Sequence, residues 1–287
     1  MKWYRLLLVA SIFTVIFASN AFADVVYEHI RNATGKLSYN GTTFLIDPML
    51  ADKDRYEGFS DCFNPEIRNP MVDLPMSKED IMKDVDAIIV THTHLDHWDE
   101  VAQQYILKTL PIFVQDEKDA SDIRSKGFRD VRIVRDNTKF KDVVLNYVEA
   151  THGTQEMYDD PATAAGLGES MGVVFSSDNE KTTYLMGDTV WTPRVNKTLN
   201  QFKPEIIIMN TGYAKALRFN EGIIMGTADV ARAARIMPQS DIIAVHMDSI
   251  NHCTVSRKNM REFIRQKNIE KKVHVPNDGE RLVFTKK

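Results

Sequence analysis

The sequence has little cysteine, little glycine and no excess of positive charge. Only 2 of its 287 residues are Cys, so one disulfide is the maximum and a disulfide framework is excluded. Gly and Pro number 13 and 10, and the chain after residue 24 contains no repeat or low-complexity tract, which excludes collagen-like and disordered classes. The formal net charge of −4 argues against a nucleic-acid partner. A hydrophobic share of 43% suits a packed α/β protein.

The first 23 residues have the pattern of an export signal. Lys2 and Arg5 precede an apolar run, and Ala21 and Ala23 supply the small residues required for cleavage before Asp24. The apolar run, residues 6–18, is shorter than the ~18–20 residues that span a bilayer. We therefore predict a signal peptide over residues 1–23 and an exported domain over residues 24–287, periplasmic in a bacterium or secreted, without stable membrane insertion. An uncleaved membrane anchor is the alternative.

Short strands and helices alternate after residue 24. Apolar stretches predict strands over residues 25–30, 37–39, 43–46, 87–90, 112–114, 131–134, 143–150, 172–176, 182–186, 205–210, 242–246, 273–275 and 281–285, the last two as a hairpin. Helices are predicted over residues 77–85, 100–109, 116–126, 227–237 and 256–267, with Ser77 and Thr227 as N-caps. Residues 49–75 and 154–170 are predicted to be loops. Strand-rich halves followed by helices predict two facing sheets with helices outside.

A cluster of metal-binding side chains follows the predicted strand over residues 87–90. Its sequence is His92-Thr93-His94-Leu95-Asp96-His97, which is the pattern H-x-H-x-D-H. Imidazole nitrogens and carboxylate oxygens suit Zn²⁺, Mn²⁺ or Fe²⁺, and the cluster contains no thiolate. Because an α/β sheet places its ligands at the carboxyl ends of its strands, this position predicts a metal site.

Three later residues stand in the same relation to an apolar strand. His152, Asp188 and His246 each follow or end a predicted strand. Taken singly, each also has a structural interpretation, such as a turn residue or a hydrogen-bonded core histidine. Their order after a complete H-x-H-x-D-H pattern favours the interpretation as further metal ligands.

These residues, with Ile46-Asp47-Pro48, resemble the motifs of the metallo-β-lactamase-fold hydrolase superfamily, and specifically its lactonase-like branch related to ascorbate-phosphate lactonase. The resemblance covers essentially all of residues 24–287 and implies a four-layer αββα sandwich. It also implies two divalent transition-metal ions, Zn foremost, with Mn or Fe as alternatives. In the implied arrangement Asp188 bridges the two ions, His92, His94 and His152 hold the first, and Asp96, His97 and His246 hold the second.

Two metal ions imply hydrolysis by a hydroxide held between them, because they lower the pKa of the shared water. The resemblance implies a lactone or related ester as the small-molecule substrate, with Asp188 and Asp96 in the catalytic set and Asp188 able to pass on the proton. The bridging Asp188 argues against β-lactamase activity. A phosphodiesterase acting on small or lipid phosphodiesters and a non-catalytic metal-binding scaffold are the alternatives. The sequence leaves a homo-oligomer possible.

Several neighbours are candidates for supporting roles. Asp47 suits a residue that orients the metal loop, or a turn residue before Pro48. His252 suits contact with substrate or proton donation, or a helix cap. Tyr213, near Asn210, suits donation to a developing oxyanion, or simple packing. Trp191 suits the pocket or the core, and Cys62 and Cys253 suit either a disulfide or free thiols.

Overall fold

The computed structural model describes residues 24–285, so the predicted signal peptide lies outside the described residues. No helix within residues 24–285 is long and apolar enough to cross a membrane.

Two seven-stranded sheets form the centre of the molecule. The first contains, in spatial order, β14 (Arg281–Phe284), β1 (Val25–Arg31), β2 (Thr34–Tyr39), β3 (Thr42–Ile46), β4 (Ala87–Ile89), β5 (Ile112–Val114) and β6 (Val131–Ile133). The second contains β13 (Val273–His274), β12 (Asp241–Val245), β11 (Ile206–Asn210), β10 (Thr183–Leu185), β9 (Ser170–Ser176), β8 (Val143–Ala150) and β7 (Thr138–Phe140). Strands β3 to β6 are parallel, as are β10 to β13.

The helices are α1 (Lys78–Met82), α2 (Glu100–Tyr105), α3 (Glu117–Ser125), α4 (Gln155–Asp159), α5 (Pro161–Leu167), α6 (Pro193–Phe202), α7 (Thr227–Ile236) and α8 (Arg257–Gln266). Helices other than α4 and α5 cover the outer faces of the sheets, whereas α4 and α5 pack against Ala214, Ile223 and Ile224. One apolar cluster joins both sheets, with Phe44 and Phe175 in edge-to-face contact at 5.3 Å. A second cluster packs α6, α7 and α8 on the second sheet, and a third packs α1, α2 and α3 on the first. The predicted αββα sandwich is confirmed.

The parallel strands bring the predicted site residues to one edge of the sandwich. Ile46 at the end of β3 pairs with Ile89 at the end of β4, so Asp47 lies beside the start of the His92–His97 segment. In the second sheet the parallel strands β10, β11 and β12 end just before Asp188, at Asn210 and just before His246. Polar side chains from both sheets therefore converge where the strands end.

The structure corrects several predicted elements. Residues 154–170, predicted to be a loop, contain α4 and α5; these helices are too short to show an apolar period, although Asp160 caps α5 and Pro161 begins it. Helix α6 was also not predicted, despite the Thr192 cap. The N-cap of α7 is Gly226 rather than Thr227. The predicted C-terminal hairpin is wrong, since β13 pairs with β12 and β14 pairs with β1.

Candidate metal centre

The seven predicted metal ligands lie together at this edge of the sandwich. Ligand atoms within 4.8 Å of one another form a first group of His92, His94 and His152, a second group of Asp96, His97 and His246, and a linking set of His92, His97 and Asp188. The first and second groups have the same membership as the two implied metal sites. All of these residues except His94 are buried.

The first group is made of three imidazoles at two strand ends. His92 Nε2 lies 2.9 Å from His94 Nδ1, so these two nitrogens face the same point. The His152 ring lies 5.3 Å from the His92 ring and 5.2 Å from the His94 ring, measured between centroids. Three neutral imidazole nitrogens around one point are a donor set that transition-metal ions such as Zn²⁺ accept.

The second group combines two imidazoles with a carboxylate. His97 Nε2 and His246 Nε2 are 3.1 Å apart, and Asp96 Oδ2 lies 3.6 Å from the first and 3.2 Å from the second. Asp188 Oδ2 lies 3.2 Å from His97 Nε2 and 3.4 Å from His152 Nε2, so this oxygen stands between the two groups. The donor set fits a pair of cations that share Asp188.

Burial and mutual proximity control the charges of these groups. Burial lowers the pKa of His94 to about 4 and the pKa of His92 well below its usual value, so both imidazoles keep a lone pair for a cation. Burial opposes ionisation of Asp188, but the neighbouring imidazoles of His97 and His246 hold the pKa of its carboxyl well below the usual range. Although burial opposes it, the neighbouring carboxylates raise the pKa of His97 to about 10. Cations bound among these carboxylates would displace such protons, since ligand imidazoles bind in the neutral form.

Asp47 orients His97, one member of the second group. Its Oδ2 lies 2.9 Å from His97 Nδ1 and accepts from the Thr91 hydroxyl at 2.9 Å, while its Oδ1 accepts from the Thr91 backbone N–H at 2.7 Å. The residue is fully buried and adopts φ 44°. A carboxylate on Nδ1 keeps the proton there and leaves Nε2 free to face a metal ion.

The other ligands have comparable partners. The Ile223 carbonyl lies 3.0 Å from His152 Nδ1, and the Thr91 hydroxyl lies 3.1 Å from His92 Nδ1. The Asn210 amide donates to Asp188 Oδ1 at 2.6 Å. The Asn32 amide donates to the Asp96 carbonyl at 3.0 Å, a contact that the sequence did not suggest. The contacts to His152, His92 and Asp188 orient those side chains, and the Asn32 bond holds the backbone of Asp96.

Two positions with positive φ also restrict the backbone near the ligands. His246 has φ 64°, a left-handed conformation that is uncommon for residues other than Gly, although His adopts it more often than most, and that clusters at functional sites when the surroundings impose it. Gly187 precedes Asp188 with φ 68°, and a Cβ there would lie 2.2 Å from the Met171 carbonyl oxygen. Only glycine therefore fits at position 187, directly before Asp188.

A cavity of about 330 Å³ opens over these ligands. His94, Asp96, His152 and Asp188 form its floor, and Phe59, Leu167 and Ile223 give it apolar walls. One wall comes from the 59–62 segment, and another comes from Ala162, Thr163, Gly166 and Leu167 of α5. The sequence analysis predicted both segments to be loops but identified no substrate-contacting residue in either.

His252 lies in the wall of this cavity. It is 6% exposed, its Nδ1 has no hydrogen-bond partner, and its ring meets the Phe59 ring edge-on at 5.0 Å. Burial lowers the pKa of His252 to about 4, so the imidazole is neutral near pH 7. A neutral imidazole in this place is able to exchange a hydrogen bond with a bound molecule.

Of the other four candidates, Tyr213 and Trp191 lie outside the cavity, and the two cysteines lie near it. The Tyr213 hydroxyl donates to Glu221 at 3.0 Å, and Tyr213 is not among the residues lining the cavity. Trp191 packs with the core cluster of the second sheet, under the Arg232 guanidinium. Cys62 and Cys253 are both free thiols; Cys253 Sγ lies 3.5 Å from His246 Nδ1, and Cys62 lines the cavity.

The sequence profile described as Beta-lactamase superfamily domain matches residues 42–247, which include all seven clustered ligands. The chain belongs to this superfamily. The prediction from the sequence motifs is thereby confirmed at the level of the superfamily, while the lactonase-like branch stays a prediction. The superfamily member described here is a metal-dependent hydrolase with the metallo-β-lactamase fold and a candidate His/Asp metal site.

Relatives of this superfamily member align over nearly the whole chain. The UPF0173 protein YddR of Bacillus subtilis is 38% identical over 255 residues, which are 89% of this chain and 98% of YddR. The crystal structure of a possible metal-dependent hydrolase from Veillonella parvula matches with 53% identity and a TM-score of 0.90, covering 91% of this chain and 99% of that one. The crystal structure of an isothiocyanate hydrolase from Delia radicum gut bacteria matches with 46% identity and a TM-score of 0.88, covering 91% and 100%.

Proposed function

We propose that this protein is an exported hydrolase that uses two metal ions to hydrolyse small organic isothiocyanates, R–N=C=S. The observation that supports the substrate most is the 46% identity to an isothiocyanate hydrolase over the full length of that enzyme. The lactone or ester expected from the sequence is a second candidate, because the same donor set also serves ester hydrolysis.

The proposed reaction adds water to the electrophilic central carbon of the isothiocyanate. The water oxygen bonds to carbon, the substrate nitrogen takes up the protons, and cleavage of the C–N bond gives the amine R–NH₂ and carbonyl sulfide. When bound, the metal ions would supply the Lewis acidity that activates water and polarises the substrate. No organic cofactor is required.

The residues of the chain have separate tasks in this proposal. His92, His94 and His152 would hold one ion, Asp96, His97 and His246 would hold the other, and Asp188 would be shared. Asp188 also lines the cavity, so its carboxylate is placed to take a proton from water and deliver it towards the substrate nitrogen. His252 lies beside the same space and is placed to hydrogen-bond the substrate.

The cavity suits a small neutral molecule with an apolar group. Its volume of about 330 Å³ lies at the lower end of typical ligand pockets, and Phe59, Leu167 and Ile223 offer apolar surface to an alkyl or arylalkyl group. A reactive N=C=S group at the floor would then face the metal ligands while the organic group contacts the walls.

A substrate panel on the purified mature protein tests this proposal. The panel contains phenethyl isothiocyanate, a γ-lactone and bis-p-nitrophenyl phosphate, and each is assayed with and without prior chelator treatment. We expect chelator-sensitive release of phenethylamine and a metal content of two ions per chain. Hydrolysis of the lactone or the phosphodiester without release of amine would instead assign the protein to that substrate, and bound metal without any turnover would support a scaffold.

Export is a separate part of the proposal and rests on the N-terminal sequence pattern. Mass spectrometry of the protein recovered from the periplasm of an expressing bacterium is expected to show a mature chain beginning at Asp24. An intact N-terminus in the membrane fraction would support the uncleaved anchor.

A further inference from the structure

We infer that Asn251 is a positioning residue that fixes one wall of the substrate cavity relative to the metal ligands. This wall is the 59–64 segment, hereafter the roof loop, of which Phe59, Ser60, Asp61 and Cys62 line the cavity. The inference rests on the proposed function, because it concerns how the same cavity accepts its substrate.

The Asn251 side chain makes almost all of its hydrogen bonds to the roof loop. Its Oδ1 accepts from the Phe59 backbone N–H at 3.1 Å, and its Nδ2 donates to the Phe59, Phe63 and Asn64 carbonyls at 3.3, 3.0 and 3.2 Å. The residue is fully buried. One amide therefore bonds polar backbone groups at both ends of a loop that lies 187–192 residues away along the chain, and water does not reach it to replace these bonds.

A second asparagine fixes Asn251 itself. Asn69 donates to Asn251 Oδ1 at 2.8 Å, and its own Oδ1 accepts from the Asn251 backbone N–H at 2.9 Å. Because both hydrogen-bonding atoms of the Asn69 side chain are used, the Asn251 amide has one orientation. Asn251 is thus held by its own backbone as well as by its side chain.

Asn251 also connects the roof loop to the functional side of the cavity. The next residue, His252, lines the cavity and contacts the Phe59 ring, and His252 O accepts from the Lys215 backbone N–H at 3.0 Å. Lys215 O in turn accepts from the Phe63 N–H at 3.2 Å. A shift of the loop would change the distance between Phe59 and the metal ligands on the floor, while no metal ligand bonds to Asn251.

Replacement of Asn251 is therefore expected to weaken substrate binding without removing metal. If the competent loop position falls to about one tenth of the population, KM rises about tenfold, because apparent affinity scales with that fraction. We expect this rise for Asn251→Ala, together with a smaller change in kcat and the metal content of the wild type. A purely structural role would lower thermal stability and leave KM unchanged.

Asn146→Ala is the matched control. Asn146 is 6% exposed and its Oδ1 accepts from the Asn137 backbone N–H at 3.0 Å, so it also anchors a turn, but outside the cavity. This variant is expected to lose stability and to keep the wild-type KM. A tenfold KM rise in both variants, or in neither, would overturn the inference.

Hydrogen exchange provides a readout that does not depend on the substrate. Peptides covering residues 56–64 are expected to exchange faster in Asn251→Ala, while peptides covering residues 87–98 keep their protection. If Asn251→Ala folds too poorly to purify, Asn251→Ser takes its place in both measurements, and unchanged exchange in residues 56–64 overturns the inference. KM is measured on whichever panel substrate the wild type hydrolyses. If the wild type does not hydrolyse isothiocyanates, the proposed function is refuted, but the role of Asn251 can still be tested.

Discussion

The substitution Asp47→Asn should lower the metal affinity of the second group, Asp96, His97 and His246, although Asp47 is not itself a proposed ligand. The substitution keeps the size of the side chain and replaces one acceptor oxygen by an NH₂ donor. In the wild type Oδ2 faces both His97 Nδ1 and the Thr91 hydroxyl, and Oδ1 faces the Thr91 N–H. The asparagine amide has two orientations in this fully buried place, and each leaves a mismatch.

If the amide oxygen stays on the Thr91 N–H, the NH₂ group faces His97 Nδ1. His97 must then carry its proton on Nε2, the nitrogen that faces His246 and Asp188 at 3.1 and 3.2 Å. If the amide turns over, its NH₂ meets the Thr91 N–H, and two buried donors face each other at a cost of about 1–3 kcal/mol. Loss of such an outer partner typically reduces metal affinity about 10- to 100-fold, which corresponds to about 1.4–2.8 kcal/mol.

Competition titration with a chromophoric chelator measures this loss. We expect Asp47→Asn to weaken one of two binding steps by 10- to 100-fold and to change the other step much less, since Asp47 reaches the His92, His94 and His152 group only through the Thr91 hydroxyl. Asp119→Asn is the control: Asp119 is 4% exposed but accepts from the Thr93 hydroxyl and the Gln115 amide, not from a ligand imidazole. Wild-type affinity in both steps for Asp47→Asn would refute the reasoning.

Three further predictions follow from the same geometry. Asp188→Asn should lower both metal affinity and turnover by more than the ~10- to 100-fold typical of an outer partner, and retained activity would contradict the shared role. Ala162→Leu should reduce kcat/KM for phenethyl isothiocyanate relative to methyl isothiocyanate about tenfold, whereas Ala165→Leu on the same helix should not, because Ala162 lines the proposed substrate cavity and Ala165 lines a neighbouring one. Burial lowers the pKa of His29 below 6.5, although Asp278 opposes this shift. On acidification His29 is therefore protonated in the unfolded chain before it is protonated in the folded one, and the fold loses stability as the pH falls through about 6.5. Thermal unfolding of His29→Gln should therefore depend less on pH than that of the wild type between about pH 7.5 and 5.5, and equal dependence would exclude His29 as the cause.

The sequence predicted those parts of the molecule whose signal is local. Most strands are apolar runs, and the proposed ligands follow them, so the H-x-H-x-D-H pattern, the strand-end positions and the family resemblance together predicted His92 to His97, Asp188 and His246. Helices α4 and α5 were missed because five to seven residues give no apolar period, and their capping residues are common in loops. Asn32 and Asn251 were missed because each acts across a long separation in sequence, where nothing marks the partner.

The residues that the sequence marks locally are the proposed metal ligands, whereas the residues that it does not mark shape the substrate cavity. The proposed metal ligands belong to strand ends of both sheets, and their outer partners, Asp47, Thr91 and Asn210, also lie at strand ends. Two walls of the cavity instead come from the roof loop and α5, which contribute no proposed ligand; contacts such as those of Asn251 join the roof loop to the sandwich. A change in these walls alters the space above the ligands without altering the donor set. Relatives that keep the strand-end residues and differ in the two walls should therefore retain the metal ions and differ in the organic group that they accept.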